Sequence, residues 1–528
     1  MAKVRYSSIL VLFFLLYGWL TLNLYNIQIE KGRGYSLKAA AQSSSPDVSA
    51  PRGIIYFQDK NKNLIPAALN RSYPIVFAVP KEIEDVEEAA SLLASVLEED
   101  REKLAGTLGK AGDAYELLGQ KVKTETSEAV KKLGLKGVYV EEFDFRYYPF
   151  RGLLSQTLGF VGINEENFYP IGLYGLEKFY NGSLTKGRDI VLTIDRNLQS
   201  QSEDILDDLV KRTGADGGSV IVEEPSTGRI LALVNKPDFN PNAYSEAEIR
   251  NFLNPAAQAI YEPGSVFKVI TMASGIDSGK LTPETVYFDR GEVTLEGETI
   301  RNWDLKAYGK VTMSDVLAHS INTGAVYAEK LVGNENFYNY LVKFGLSDLT
   351  GIDLGGEVRG NLNNLVGRKA NQLDFASASF GQGIAVTPIA LINSVSVIAN
   401  RGILMKPYLV EGEEPRVIRR VISAETAEQV KEMMVNAVEK AGVAKIASYK
   451  LAGKTGTAQV ADLRNGGYTD DVVNTYIGFG PADNPKFVVL LKLDKPKGAP
   501  LAGLTVVPAF KELAQFILNY YNIPPDNL

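Results

Sequence analysis

The sequence contains no cysteine and only one histidine, His319, among its 528 residues. Without cysteine the chain has no thiol nucleophile, no disulfide and no thiolate-bound zinc or iron–sulfur cluster. The single histidine excludes a histidine-rich metal site, and a Ser-His-Asp triad could form only around His319, which we interpret as a structural residue. We therefore predict no metal and no cofactor, and we expect a base other than histidine if the protein catalyses acyl transfer.

The charge balance gives little support to nucleic-acid binding. The chain carries 56 basic and 63 acidic residues, a net charge of −7, whereas nucleic-acid-binding domains are usually basic. Hydrophobic residues make up 45% and charged residues 23% of the chain, which is typical of a globular protein. At roughly 150 residues per domain, the length predicts about three or four structural units.

The N-terminus carries a stretch of 24 uncharged residues, 6–29. As a helix rising ~1.5 Å per residue, this stretch can cross a hydrocarbon core of ~30 Å. A cleaved signal peptide is the alternative, but Asn26–Lys31 follows the apolar run where small residues of a cleavage site would be expected. We predict that residues 1–29 form an N-terminal tip and a single transmembrane anchor. Basic residues flank both ends, so the positive-inside rule leaves the orientation open.

Residues 30–194 show the pattern of a mixed domain. Short apolar runs at Gly53–Phe57, Tyr73–Val79 and Asp189–Ile194 predict strands. Residues 81–135 are rich in Glu, Lys, Leu and Ala at helical spacing, which predicts surface helices. We expect an extended domain that contains both strands and helices.

The sequence pattern of residues 195–528 predicts an α+β domain that differs from the mixed domain before it. The runs Ser219–Glu223 and Arg229–Asn235 are joined by a Pro-Ser-Thr-Gly turn, and the runs Thr475–Gly480 and Lys486–Leu493 flank a second turn-rich segment. A long, largely helical stretch lies between these two predicted hairpins. We therefore expect an antiparallel sheet covered by helices.

A serine and a lysine three residues apart mark the first candidate catalytic sequence. Pro263 and Gly264 predict a turn that opens a buried helix, with Ser265 and Lys268 on one face. A lysine in an apolar setting has a lowered pKa, and its neutral amine can take the proton of a serine hydroxyl. The alternative is a serine at a helix start beside a snorkelling lysine. A second such sequence, Ser183–Lys186, is polar and predicted to be a loop.

The second candidate sequence is Ser320-Ile321-Asn322, which is predicted to lie in a loop between two helices. A hydroxyl and an amide two residues apart can shuttle a proton and hold a peptide carbonyl. Helix capping by Ser320 or Asn322 is the alternative interpretation. The sequence does not decide between the two.

The third candidate sequence runs from Lys454 to Thr457 and is predicted to lie on a sheet edge. There Gly456 would leave room for a ligand backbone, Lys454 would supply a fixed positive charge, and Thr455 and Thr457 would offer hydroxyls to a carboxylate. A phosphate-binding loop is excluded because its signature needs a glycine at position 448, which is serine.

Taken in order, the three sequences match the set found in penicillin-binding proteins and serine β-lactamases. The whole chain resembles the class B penicillin-binding proteins, which are membrane-anchored peptidoglycan transpeptidases. The following sequences also resemble motifs of that family: Pro51-Arg52-Gly53, Arg146-Tyr147-Tyr148-Pro149, Gly175-Leu176-Glu177, Pro263-Gly264-Ser265 and Phe380-Gly381-Gln382-Gly383. The resemblance implies a cytoplasmic N-terminus, a non-catalytic pedestal at 30–194 and an extracytoplasmic transpeptidase domain at 195–528.

The resemblance also implies a role for each motif residue. Ser265 would attack the carbonyl between the two terminal D-alanines of a stem peptide, with Lys268 as the general base. Ser320 would relay a proton to the leaving amine, and Asn322 would bind the peptide backbone. The donor carboxylate and the oxyanion, the latter held in part by the Ser265 N–H, would be bound along the third sequence, Lys454, Thr455, Gly456 and Thr457.

The family resemblance implies partners as well: peptidoglycan stem peptides, β-lactams, the bacterial membrane, a polytopic lipid II glycosyltransferase and other wall-synthesis proteins. The stretches Phe344–Leu346 and Thr350–Leu354 resemble division enzymes more than elongation enzymes. An elongation enzyme, a carboxypeptidase or β-lactamase, and a non-catalytic β-lactam sensor are the alternatives. The single predicted span argues against a sensor with a multi-span signalling region.

Overall fold

The computed structural model describes residues 13, 16–21, 51–110, 112–163, 170–368, 370–412, 414–462, 466–498 and 501–526. The predicted anchor at 6–29 therefore lies outside the described residues except for position 13 and the segment 16–21. Within the described ranges, no helix combines the length and the hydropathy that a membrane crossing requires.

The N-terminal part of the described chain is built on a five-stranded mixed sheet. The strands of this part are β1 Ile55–Gln58, β2 Leu64–Ala78, β3 Glu116–Gly119, β4 Val138–Tyr147, β5 Val161–Ile163, β6 Pro170–Gly172 and β7 Ile190–Asp195. The sheet order is β3-β2-β1-β7, with β4 on β2, and β1 pairs in parallel with β7. The strand predicted at Tyr73–Val79 is only the second half of β2, because Pro66, Asn70 and Arg71 interrupt the apolar pattern of the first half.

The helices of this part cover one face of the sheet or connect its strands. They are α1 Val86–Leu97, α2 Arg101–Leu108, α3 Thr124–Leu133, α4 Ser155–Leu158, α5 Gly175–Phe179 and α6 Asn181–Leu184. Asp85 and Asp100 cap α1 and α2 by accepting hydrogen bonds from backbone N–H groups. The prediction of helices throughout 81–135 is wrong at β3, which interrupts the helices between α2 and α3 and pairs with β2 at the edge of the sheet.

The second Ser-x-x-Lys sequence also differs from its prediction. Ser183 lies inside the short helix α6 rather than in a loop, and Lys186, which follows the helix, is exposed.

A buried ion cluster joins three segments of the N-terminal part. Glu177 on α5 is completely buried and accepts hydrogen bonds from Arg52 Nε at 2.7 Å and from Arg146 Nε at 2.6 Å. Arg52 also donates to Asn181 Oδ1 at 2.9 Å, and Asn70 donates to the Arg52 carbonyl at 2.6 Å. The Glu177 carboxylate thus links the segment just before β1 to β4 and to the helices that precede β7.

The C-terminal part contains the second sheet and several two-stranded pairs. Its strands are β8 Gly217–Glu224, β9 Arg229–Lys236, β10 Val286–Asp289, β11 Glu292–Leu295, β12 Glu298–Arg301, β13 Gly309–Thr312, β14 Ile403–Met405, β15 Val417–Arg420, β16 Ala452–Ala461, β17 Tyr468–Gly480 and β18 Phe487–Asp494. Five of them form an antiparallel sheet in the order β16-β17-β18-β8-β9. Both predicted hairpins are confirmed, and β16 is an edge strand.

Helices cover both faces of this sheet. They are α7 Arg196–Thr213, α8 Pro255–Gln258, α9 Lys268–Asp277, α10 Met313–His319, α11 Asn322–Val332, α12 Asn334–Lys343, α13 Gln372–Ala378, α14 Pro388–Ala399, α15 Ala424–Ala441 and α16 Val506–Tyr520. Val220 and Val222 face a core shared with α7 and α16, whereas Ile221 faces the core that contains α9 and α14. This alternation follows the period of two along a strand, and the predicted α+β architecture is confirmed.

The remaining turns of helix are of the 3₁₀ type, at Pro80–Glu82, Pro241–Glu246, Ile249–Phe252, Gly264–Phe267, Asn363–Leu365 and Ala502–Leu504.

A small β-lobe, residues 286–312, interrupts the middle of the C-terminal part. It consists of the β10–β13 pair and the β11–β12 hairpin and lies between α9 and α10 in the chain. The prediction of a largely helical middle is wrong here. The lobe's strands are only four residues long, too short to give a clear alternating pattern.

Candidate active site

Ser265 lies in a 3₁₀ turn, Gly264–Phe267, that runs directly into the buried helix α9. Gly264 adopts a φ of +62°, and a Cβ at this position would lie 3.0 Å from the Ala458 Cβ of β16. Glycine therefore allows the turn to approach the edge strand closely. The prediction of a buried helix is confirmed, because Lys268–Ile276 are all buried.

Lys268 is the first residue of α9 and its relative exposure is 0%. The snorkelling alternative is therefore wrong, since a snorkelling lysine keeps its amine in water. Burial, together with the charge of Lys454, holds the pKa of Lys268 well below its ordinary value. The neutral amine is the form that can accept a proton.

The amine of Lys268 lies among four oxygen atoms. Its Nζ is 2.7 Å from the Ser320 carbonyl oxygen and 2.7 Å from Asn322 Oδ1. It is 3.0 Å from Ser265 Oγ and 3.2 Å from Ser320 Oγ. Carbonyl oxygens can only accept hydrogen bonds, so the two shortest contacts use both N–H bonds of a neutral amine. Its lone pair is then left for a hydroxyl proton, and Ser265 has the nearer hydroxyl.

Ser320 ends α10 in the left-handed conformation, with φ 57° and ψ 42°. A non-glycine residue there costs about 1–2 kcal/mol relative to the right-handed region. In this conformation, both the carbonyl and the hydroxyl of Ser320 contact Lys268. Neither Ser320 nor Asn322 caps the start of α11, because the residue before that helix is Ile321 and the start has no side-chain capping bond, whereas Ser320 is the C-cap residue of α10.

Lys454 lies on the edge strand β16, as predicted, and is 3% exposed. Its Nζ donates to Ser320 Oγ at 3.0 Å and to the Thr455 carbonyl at 3.0 Å. Burial lowers the pKa of Lys454 to about 7. The expectation of a fixed positive charge therefore needs correction, since the ammonium loses its proton near neutral pH.

The other residues of the third sequence continue along β16. Thr455 is half-buried, and Thr457 is exposed with its Oγ1 accepting from the Ala502 N–H at 3.3 Å. A Cβ on Gly456 would lie 2.8 Å from the Pro263 carbonyl. The glycine thus makes room for the chain just before Ser265.

The three sequences therefore meet in one place. Ser320 Oγ lies between the amines of Lys268 and Lys454, which links α9, the α10–α11 loop and β16 in one bonded cluster. His319, next to Ser320, is exposed, and its ring stacks on Tyr308 at a centroid distance of 5.3 Å. Sequence reasoning missed Asn302, whose side-chain oxygen accepts from the Asn322 N–H at 3.0 Å. No sequence signal marked it, because its role depends on the β-lobe.

The two lysines predict a bell-shaped pH dependence for acylation by a ligand that carries a carboxylate. Lys268 must be neutral, whereas Lys454 must be charged to attract the carboxylate. Since the pKa of Lys454 is about 7, kcat/KM should fall as the pH rises above it. Measuring acylation between about pH 6 and 9 tests this.

Lys454→Arg provides the comparison for that pH profile, because arginine stays charged throughout the range. For this variant we expect kcat/KM to show no decline at high pH, even if its value is lower than that of the wild type. A wild-type kcat/KM that stays constant across the pH range would contradict the role of Lys454 as the charge that attracts the carboxylate.

Comparisons with known proteins agree with this geometry. Residues 218–515 match the penicillin-binding protein transpeptidase domain, and residues 47–220 match the penicillin-binding protein dimerisation domain. Stage V sporulation protein D of Bacillus subtilis is 32% identical over 494 residues, covering 84% of this chain and 75% of that protein.

Two further comparisons extend the likeness. The peptidoglycan D,D-transpeptidase FtsI of Buchnera aphidicola is 28% identical over 441 residues, covering 78% of this chain and 76% of that protein. The crystal structure of a peptidoglycan synthetase from Bifidobacterium adolescentis superposes with a TM-score of 0.70 at 26% identity, covering 91% of this chain and 97% of that one. With the matching domains and the serine–lysine site together, this chain belongs to the class B penicillin-binding proteins, a family of serine-type peptidoglycan D,D-transpeptidases.

Proposed function

We propose that this chain cross-links peptidoglycan stem peptides through an acyl-enzyme formed on Ser265. The observation that carries the proposal is the position of Lys268 Nζ, 3.0 Å from Ser265 Oγ. The two shortest contacts of the amine are to carbonyl oxygens, which leaves its lone pair for the Ser265 proton. Because the lysine is buried, its pKa is lowered and it serves as a base without histidine.

In the acylation step, Ser265 Oγ forms a bond to the carbonyl carbon between the two terminal D-alanines, and its proton passes to Lys268 Nζ. The carbon–nitrogen bond then breaks. The leaving amine takes a proton through the hydroxyl of Ser320, which lies 3.2 Å from Lys268 Nζ and 3.0 Å from Lys454 Nζ. D-alanine departs and the peptide remains as an ester on Ser265.

In the transfer step, the amine of a neighbouring stem peptide attacks this ester, an amide bond forms, and Ser265 regains its proton. A β-lactam would acylate the same serine, but the opened ring stays attached and hinders the acceptor. β-Lactams should therefore inhibit the enzyme covalently.

The edge strand is the proposed binding site for the donor peptide. Lys454, Thr455 and Thr457 would hold the terminal carboxylate, while the backbone N–H groups of Ser265 and Thr457 would stabilise the oxyanion. Asn322 would bind the peptide backbone through the second N–H of its amide, since the first donates to the Arg301 carbonyl at 2.9 Å.

We assign residues 1–29 to a cytoplasmic tip and membrane anchor, 30–194 to the pedestal and 195–528 to the transpeptidase domain, outside the cell membrane. Asp195 supports the internal boundary. It ends β7 of the first sheet and also caps α7, by accepting from the Asn197 and Leu198 N–H groups. A polytopic lipid II glycosyltransferase is the proposed partner, since cross-linking needs newly made glycan strands.

We further propose a septal role. The relatives named above include a sporulation protein and an FtsI, and the stretches Phe344–Leu346 and Thr350–Leu354 resemble division enzymes. Elongation is the competing role. The position of a tagged copy in growing cells separates the two: midcell for division, lateral patches for elongation.

A product assay tests the transpeptidase proposal against hydrolysis. The full-length protein in detergent is incubated with a stem pentapeptide and an acceptor amine, and the products are identified by mass spectrometry. We expect free D-alanine and a cross-linked amide in equal amounts. A hydrolysed tetrapeptide as the main product would favour a carboxypeptidase, and the absence of D-alanine release would contradict both.

A further inference from the structure

The β-lobe holds the Ser320–Asn322 loop by several hydrogen bonds. Asn322 Nδ2 donates to the Arg301 carbonyl at 2.9 Å, and the Asn322 N–H donates to Asn302 Oδ1 at 3.0 Å. Trp303 Nε1 donates to the His319 carbonyl at 3.3 Å. Three consecutive lobe residues thus contact both sides of the loop that carries Ser320.

Asn302 is the central residue of this contact and is 1% exposed. Its Oδ1 accepts from the N–H groups of Asn322 and Thr323, at 3.0 and 3.3 Å. Its Nδ2 donates to Asp289 Oδ2 and to the Lys306 carbonyl, each at 2.8 Å. Because N–H donors face one side of the Asn302 side-chain amide and oxygen acceptors face the other, this amide has one favourable orientation.

Asp289 fixes that orientation from inside the lobe. Its buried carboxylate accepts from the Thr323 hydroxyl at 2.6 Å and from Asn302 Nδ2 at 2.8 Å. It also accepts from the N–H groups of Gly291 and Tyr308, at 2.9 and 2.8 Å. A carboxylate can only accept, so it orders the donors around it.

We propose that Asn302 and Asp289 are positioning residues: they hold the backbone of Asn322, keep its side-chain amide between the Arg301 carbonyl and Lys268, and thereby direct the lone pair of Lys268 to Ser265. The inference rests on the proposed function, because it assigns Lys268 as the base.

The consequence of losing this orientation follows from the amide itself. While Nδ2 of Asn322 is held by the Arg301 carbonyl, Oδ1 faces Lys268 Nζ at 2.7 Å. If the amide turned over, its N–H would point at the amine and compete with Ser265 for the lone pair. If the Lys268 amine is displaced, or its lone pair is occupied in this way, the side chain still fills its space in the fold, but it no longer takes the Ser265 proton.

The test is Asn302→Leu, a variant of similar size and no added charge, in the full-length protein. We expect the rate of acylation by a fluorescent penicillin to fall on the order of 100-fold, as a misplaced catalytic group can cause. The acidic limb of the rate–pH profile should also move to lower pH, because Lys268 loses an acceptor that favours its charged form. Lys454, the charged group that faces Lys268, is unchanged.

Glu298→Ala is the matched control, because Glu298 lies in the same lobe hairpin and is exposed. This variant should keep the wild-type rate and the wild-type pH limb. If Asn302→Leu shows no cooperative melting, Thr323→Val decides the question. It removes the hydroxyl that donates to Asp289 at 2.6 Å and also lies 3.3 Å from Asn302 Oδ1, and we expect a roughly tenfold fall with the same direction of pH shift.

Two results would overturn the inference. One is a folded variant acylated within about threefold of the wild-type rate. The other is a slower variant whose pH limb has not moved, which would indicate a merely structural loss. A wild type that is not acylated at all would instead overturn the proposed function.

Discussion

Replacing Ser265 with alanine should abolish covalent labelling by a fluorescent penicillin and lower peptide transfer by at least about 10⁴-fold. The expected loss is this large because the other hydroxyl near the base, Ser320, lies farther from Lys268 Nζ and also accepts from Lys454. Gel fluorescence and the release of D-alanine measure the two effects. The thermal midpoint should stay close to that of the wild type, since Ser265 lies in a turn and is only partly buried.

The chain provides a matched control in its second Ser-x-x-Lys sequence. Ser183→Ala changes the same residue type in the same spacing, but there the lysine, Lys186, is exposed and keeps its ordinary hydration. This variant should be labelled at the wild-type rate. If the Ser265→Ala variant were still labelled at the same place as the wild type, Ser265 would be excluded as the nucleophile.

Lys268→Met should lower the acylation rate by roughly 10²–10⁴-fold, the range that a general base contributes. Methionine fills much of the space of the buried lysine stem but has no amine to take the Ser265 proton. The thermal midpoint should change little, because removing the desolvation cost of the buried amine offsets the loss of its contacts with the Ser320 carbonyl and Asn322 Oδ1. Stopped-flow acylation and a melting curve separate these two effects.

Lys186→Met is the control for that variant, and it should leave the acylation rate unchanged because Lys186 is exposed. An acylation rate of Lys268→Met equal to that of the wild type would exclude the lysine as the base. A slow rate accompanied by a large loss of stability would mean that Lys268 acts mainly through packing.

The sequence predicted the elements that depend on local pattern. The two hairpins of the second sheet have apolar runs separated by turn residues, so both were predictable. The turn at Ser265 followed from Pro263 and Gly264, and the burial of Lys268 followed from its apolar neighbours.

Features set by tertiary contacts were not predictable in the same way. The left-handed conformation of Ser320 has no glycine to signal it. Lys454 resembles a surface lysine in sequence, and only its burial in the folded protein lowers its pKa. The close approach of the Pro263 carbonyl to Gly456 was not predictable, because the two residues are distant in the chain.

The strand order of the second sheet bears on how the enzyme is made. β18 pairs with β8, so strands synthesised near the start and the end of the transpeptidase domain are neighbours. Chains emerge from the ribosome N-terminus first, and such distant pairings form slowly. Ser265 therefore leaves the ribosome long before β16, β17 and β18 can complete its surroundings. The surroundings of Ser265 can be completed only after β18 has been translated, so we expect any penicillin binding by the nascent chain to begin only then.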